Sequence, residues 1–179
     1  MSLAPFPLRL VTVSAMVGLG LGLAACATTP QSGSQTARAT LVTATGQQVG
    51  TATIRETAAG LEVTVSASGL APGRKGVHVH TTGACTPTFA AAGGHWNPGA
   101  ATHGLMGAPG QHAGDMPNLE VGANGSGSLT YMLDRAATFA GLMDADGSAF
   151  IIHAGEDDQT TDPTGNSGDR FACGVFQPA

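Results

Sequence analysis

An all-β fold, a sandwich or barrel of short strands, is what this sequence predicts. Three observations point there. Short runs rich in Val, Ile, Leu and Thr recur along the chain, Gly-rich turns separate them, and helix start and stop signals are nearly absent. No internal repeat is evident.

The elements follow in order. Ala39–Thr45 (ATLVTAT) reads as the first strand, turning at Gly46-Gln47-Gln48, and Gly50–Glu56 as the next, turning at Ala59-Gly60. Leu61–Ser66 alternates cleanly, so Leu61, Val63 and Val65 share the inward face. Gly76–Thr81 is a strand with His78 and His80 on one face and Val77 and Val79 on the other. Asn118–Val121 and Gly127–Leu133 flank Asn124-Gly125, a hairpin signal. Asp134–Gly147 suits either a short helix or an irregular crossover and is read as loop. Ser148–His153 and Arg170–Phe176 complete the set.

The stretch from Thr81 to Pro117 has no apolar period and is long for a loop. Loops of that length in compact domains are normally functional or disordered. His95, His103, His112 and Asp115 lie in it and give it a reason to be ordered. Together with His78, His80 and His153 they include all six histidines of the chain. Neutral imidazole is the commonest metal-ligating side chain, and histidines plus one carboxylate suit copper or zinc better than calcium or magnesium. The pattern reads as a metal site rather than scattered surface histidines.

The N-terminus belongs to targeting. Arg9 precedes an uncharged apolar run, Leu10–Ala25, short for a membrane span and typical of a signal peptide. It ends in Leu23-Ala24-Ala25-Cys26, which resembles the lipobox of bacterial lipoproteins. That resemblance implies cleavage after residue 25 and lipidation of Cys26, anchoring the chain to a membrane. Residues 26–38 are polar and read as a flexible tether, leaving 39–179 as one domain. With Cys26 lipidated, Cys85 and Cys173 remain, and export favours a disulfide over two free thiols. The chain is mildly acidic (net charge −5), and Lys75 is its single lysine, which argues against nucleic acid as a partner.

The sequence resembles the secreted bacterial copper–zinc superoxide dismutases, in lipoprotein form. The matching pieces are Gly-Val-His-Val-His (76–80), Gly-Gly-His-Trp-Asn-Pro (93–98), His103-Gly104, His112-Ala-Gly-Asp115, Ile-Ile-His-Ala-Gly-Glu-Asp (151–157) and Asp-Arg-Phe-Ala-Cys-Gly-Val (169–175). The resemblance implies an eight-stranded antiparallel Greek-key β-barrel, an immunoglobulin-like sandwich with long metal-binding and electrostatic loops. It implies one copper per subunit on His78, His80, His95 and His153. One zinc would sit on His95, His103, His112 and Asp115, with His95 bridging. Arg170 would dock the superoxide anion, His95 would carry a proton, and Asp157 would link a copper histidine (His78) to a zinc histidine (His103). One superoxide would leave as oxygen and the next as hydrogen peroxide. The enzyme would sit in the cell envelope on the extracytoplasmic side, held by lipid at Cys26. Family members include monomers and homodimers, so the resemblance leaves that choice open.

Two other classes of function compete with the enzyme: a copper-handling lipoprotein on the same fold, and a structural surface domain. Family members that have lost catalysis usually lack ligands or the arginine, and both are present here. One departure concerns steering. The Ala154–Asp169 loop carries Glu156, Asp157, Asp158, Asp162 and Asp169 and no lysine. Attraction of an anion then falls to Arg170, the metals, Arg74 and Lys75.

Overall fold

The structure is a computed structural model that describes residues 34–106 and 110–179. The expected signal segment (1–25), Cys26 and residues 27–33 of the expected tether lie outside the described residues. Among the described residues ten strands follow one another as β1 (Thr36–Thr43), β2 (Gln48–Thr57), β3 (Gly60–Ala67), β4 (Gly73–Lys75), β5 (Val77–His80), β6 (Leu119–Val121), β7 (Gly127–Met132), β8 (Ala149–His153), β9 (Arg170–Val175) and β10 (Gln177–Pro178).

The main sheet runs β5-β8-β9-β1-β2-β3-β7, every pair antiparallel, and β10 adds to β1. β4 pairs with β6. Only Gly76 separates β4 from β5, so the two act as halves of one bent strand, the first half bonded to β6 and the second to β8. Joined in that way, and with two-residue β10 set aside, eight principal strands form the curled Greek-key sheet expected of the sequence. Leu61, Val63 and Val65 are buried in the core with Leu41, Ile54 and Phe150. The chain turns at Asn124-Gly125, with Gly125 at φ 74° and Gly122 N–H donating to Ser126 O at 2.9 Å, but the expected hairpin ladder does not form: β6 pairs with β4 and β7 with β3.

Two boundaries differ from expectation. Thr36, Ala37 and Arg38, expected in the tether, already belong to β1 and pair with Arg55, Ile54 and Thr53. Their polarity misleads because only every second residue faces inward: Ala37 is buried while Arg38 is exposed. Within Asp134–Gly147, read as loop, one helical turn forms, α1 (Phe139–Leu142). Its cap, Thr138, accepts a hydrogen bond from the Gly141 N–H, and Phe139 and Leu142 anchor the turn in the core.

Strands β5 and β8 are buried along their whole length. Val77 and Val79 pack into the core with Phe150 and Ile152, so the histidine-bearing face of β5 turns away from it. On β8 the odd positions turn the same way: Ala149 and Ile151 pack with Cys173, and His153 ends the strand.

Candidate metal centre

The far edge of β5 is covered by the long loop, and this brings sequence-distant histidines together. Val79 N–H donates to Gly114 O at 3.0 Å, Trp96 N–H donates to Val79 O at 2.8 Å, and Gly114 N–H donates to Trp96 O at 2.9 Å. The two loop segments thereby lie antiparallel to the strand, placing Asp115 beside His78 and His95 beside His80. Trp96 packs in the core and anchors the arrangement.

The six histidines and Asp115 form two buried groups that share His95. His78, His80, His95 and His153 can each direct one ring nitrogen to points within 4.8 Å of one another, and so can His95, His103, His112 and the Asp115 carboxylate. All seven side chains are buried. Each histidine keeps one buried ring nitrogen without a hydrogen-bond partner: Nδ1 of His78, His103 and His112, and Nε2 of His80, His95 and His153. A buried polar atom left unpaired is costly, and six converging ring nitrogens fit metal ions.

The opposite ring nitrogens are held. The Asp157 carboxylate spans the two groups, Oδ2 at 2.6 Å from His78 Nε2 and Oδ1 at 3.0 Å from His103 Nε2. His80 Nδ1 donates to Gly93 O at 2.9 Å and His153 Nδ1 to Gly168 O at 3.0 Å. Such partners fix tautomer and ring orientation. Asp115 gathers the second group: His95 Nδ1 is 2.9 Å and His103 Nδ1 3.1 Å from its oxygens, and the N–H groups of Gly104 and His112 donate to Oδ2.

Electrostatics set His103 apart from the other shifted rings, His112 included, which burial lowers. Burial pushes His78 down to about 3, His80 to about 2 and His153 to about 4, so these rings are neutral and able to ligate. Burial also lowers His103, but the adjacent Asp115 and Asp157 carboxylates outweigh it and raise the ring to about 9. Burial would raise Asp115 and Asp157, yet hydrogen bonds from the histidines hold both well below the usual carboxylate range.

A cleft of about 550 Å³ opens over the site, lined by His80, His95, His153 and Arg170 among others. Arg170 begins β9, and its two terminal nitrogens donate to Phe89 O and Gly93 O, at either end of a single 3-10 turn (Phe89–Ala92). It forms no ion pair with Asp169 among the described residues. The disulfide Cys85–Cys173 ties the same loop to the same strand, with Cα atoms 5.9 Å apart and a sequence separation of 88. Arg74 is engaged by Glu120 and Glu156, and Lys75 donates to Ala154 O, so both cations are committed locally.

Several supporting groups are absent from the sequence reading. Asn118, read as a strand start, clamps Asp157 reciprocally: its Nδ2 donates to Asp157 O, and its Oδ1 accepts the Asp157 N–H, both at 2.8 Å. Gln159 sits at φ 63° and donates its N–H to Asp157 Oδ1 at 2.6 Å. Gly165 packs so closely that a Cβ there would lie 1.9 Å from Asp157 Oδ1. Carbonyls such as those of Gly93 and Gly168 leave no side-chain signature, though the Gly-Gly-His95 run hints at a close approach.

Comparison with known proteins agrees with this geometry. Residues 48–176 match the family described as copper/zinc superoxide dismutase. A protein named Superoxide dismutase [Cu-Zn] from Deinococcus radiodurans is 40% identical over 182 residues, covering 94% of this chain and 97% of the relative. Superoxide dismutase-like protein YojM of Bacillus subtilis is 43% identical, covering 76% of this chain and 73% of its own. Among solved structures, the Cu/Zn superoxide dismutase from Brucella abortus superposes with a TM-score of 0.68, at 32% identity over 79% of this chain and 99% of that one. The fold, the paired histidine groups and these matches lead to one conclusion: the chain belongs to the copper/zinc superoxide dismutase family.

Proposed function

We propose that this member of the family dismutates superoxide to oxygen and hydrogen peroxide at the extracytoplasmic face of the cell envelope, tethered by lipid at Cys26. The enzyme class and the metals, copper and zinc, are those of the family. In this reading His78, His80, His95 and His153 hold copper, and His95, His103, His112 and Asp115 hold zinc. The observation that carries it is the set of six buried, unpartnered ring nitrogens in two groups sharing His95. Copper, when bound, supplies one-electron exchange, and zinc supplies a redox-inert structural and electrostatic partner.

The chain's own residues do the rest. Arg170, at the cleft, docks the anion with a permanently charged guanidinium whose terminal nitrogens are already oriented by two carbonyls. His95 faces Asp115 through Nδ1, which leaves Nε2 for the His78–His80–His153 group. That nitrogen is the atom placed to take a proton and return it to the departing peroxide. Burial of the site keeps bulk water from the histidines. Quantifying metals in the purified chain tests the assignment: one copper and one zinc per chain are expected, with both weakened in His95→Ala. Unaltered occupancy of both metals in that variant would contradict it. The anchor is tested separately, by detergent-phase partition that Cys26→Ser should abolish.

A further inference from the structure

His112 stands apart from its neighbours in what holds its outer ring edge. His78, His80, His103 and His153 each have the nitrogen opposite the free one within 3.0 Å of an oxygen. His112 has Nδ1 free and buried, 3.4 Å from Asp115 Oδ1, and its Nε2 faces Asp162 Oδ1 at 3.7 Å. The same oxygen of Asp162 accepts the backbone N–H of His103 at 2.7 Å. One carboxylate oxygen on the 154–169 loop is thus set against two of the three histidines of the second group.

We propose that Asp162 is a positioning residue for the zinc half of the site, clipping the His103 segment in place and orienting the His112 ring. The inference rests on the assignment of zinc to His95, His103, His112 and Asp115. It goes beyond that by naming what holds His112. A neutral imidazole carries one proton and one lone pair. A carboxylate facing Nε2 favours the tautomer with its proton there and leaves the Nδ1 lone pair inward. At 3.7 Å the contact is an ion-pair distance rather than a made hydrogen bond, and the Asp162 side chain is 56% exposed. The orienting effect is therefore screened, whereas the bond to His103 N–H is short. Asp157 touches a histidine of each group, but Asp162 touches only the second. Its loss should therefore weaken zinc selectively.

The test uses the full chain loaded with copper and zinc, comparing wild type with Asp162→Asn, Asp162→Ala and His112→Ala. Zinc affinity is read by competition with a chelator, copper retention in parallel, and ligand geometry from the absorption spectrum with cobalt in the zinc position. In Asp162→Ala, zinc affinity should fall by about 10- to 100-fold, the range for lost outer partners. Asp162→Asn keeps an acceptor for His103 N–H but not the charge; it should fall less, shift the cobalt spectrum and retain copper. If both variants hold zinc like wild type, or lose copper and zinc equally, the inference is overturned. A wild-type cobalt spectrum in Asp162→Asn would overturn the orienting role. Should Asp162→Ala fail to fold, the isosteric Asn variant decides. Wild type that takes up no more zinc than His112→Ala would instead sink the zinc assignment itself.

Discussion

His80 and Arg170 are joined through one atom: the carbonyl oxygen of Gly93 accepts the Nδ1–H of His80 at 2.9 Å and a guanidinium N–H of Arg170. A histidine of the first buried group and the cation at the cleft mouth share a reference point on the loop that Cys85–Cys173 staples to β9. Reducing that disulfide, or replacing both cysteines with serine, should cost about 2–4 kcal/mol of stability. It should also lower the rate per bound copper, because the loop carrying Gly93 loosens relative to Arg170. Thermal unfolding and activity normalised to copper check this; an unchanged rate per copper would mean that Arg170 is positioned without the staple.

Arg170 itself should matter to anion capture and little to metal content. Arg170→Ala is expected to lower kcat/KM by about tenfold or more, within the range by which charged clefts raise capture rates. Arg170→Lys should restore part of it, since a lysine keeps the charge but not the fork that spans two carbonyls. Loss of copper in either variant would show instead a structural role.

The Asp157 bridge predicts a linked effect on both metals. Asp157→Ala removes the acceptor of His78 Nε2 and His103 Nε2 together, and should weaken metal binding by about 10- to 100-fold. Gly165→Ala should act in the same direction from the other side. Its Cβ would lie 1.9 Å from Asp157 Oδ1 and 2.5 Å from His103 Nε2, on a residue at φ 61°. Metal titrations of the two variants should show both copper and zinc weakened; an effect confined to one metal would break the link.

Acid should destabilise the metal-free protein early. His78 and His153 ionise at about 3 and about 4 in the folded chain, chiefly through burial, against 6.5 ordinarily. A depressed group contributes stability that is present above its unfolded value and is lost as pH falls towards its folded one. His103, raised to about 9, works oppositely: its contribution is complete below 6.5 and disappears as pH rises through 9. Between pH 6.5 and 4 the depressed rings alone change, so the Tm of the metal-free chain should fall across that window. A flat or rising Tm there would contradict the burial of neutral rings.

Added salt should slow the enzyme only weakly. Arg74 is held by Glu120 and Glu156, Lys75 turns to Ala154 O, and the 154–169 loop has no lysine. Rate against ionic strength should therefore have a shallow slope; a steep fall would reveal a long-range positive field.

The strands and the histidines were legible because they leave periodic or chemical marks. Val-His-Val-His announces one face for the core and one for ligands, and β5 behaves so. The start of β1 was hidden because Thr36 and Arg38 are polar on the exposed side of a strand. α1 was hidden because four residues offer no helical period, and its apolar anchors, Phe139 and Leu142, are read only in the packed core. Within the site, the grip of Asn118 on Asp157 and of Asp162 on the His103 segment depends on distant segments meeting. Local sequence cannot distinguish Asp162 from the solvated acids around it, and a carbonyl such as Gly93 O belongs to every residue type alike.

The most direct measurement is superoxide dismutation by the chain loaded with copper and zinc, beside His153→Ala, with both metals quantified. Copper-dependent turnover that collapses in the variant is the predicted result. Stoichiometric binding of both metals without turnover would contradict the enzyme and leave a copper-handling protein.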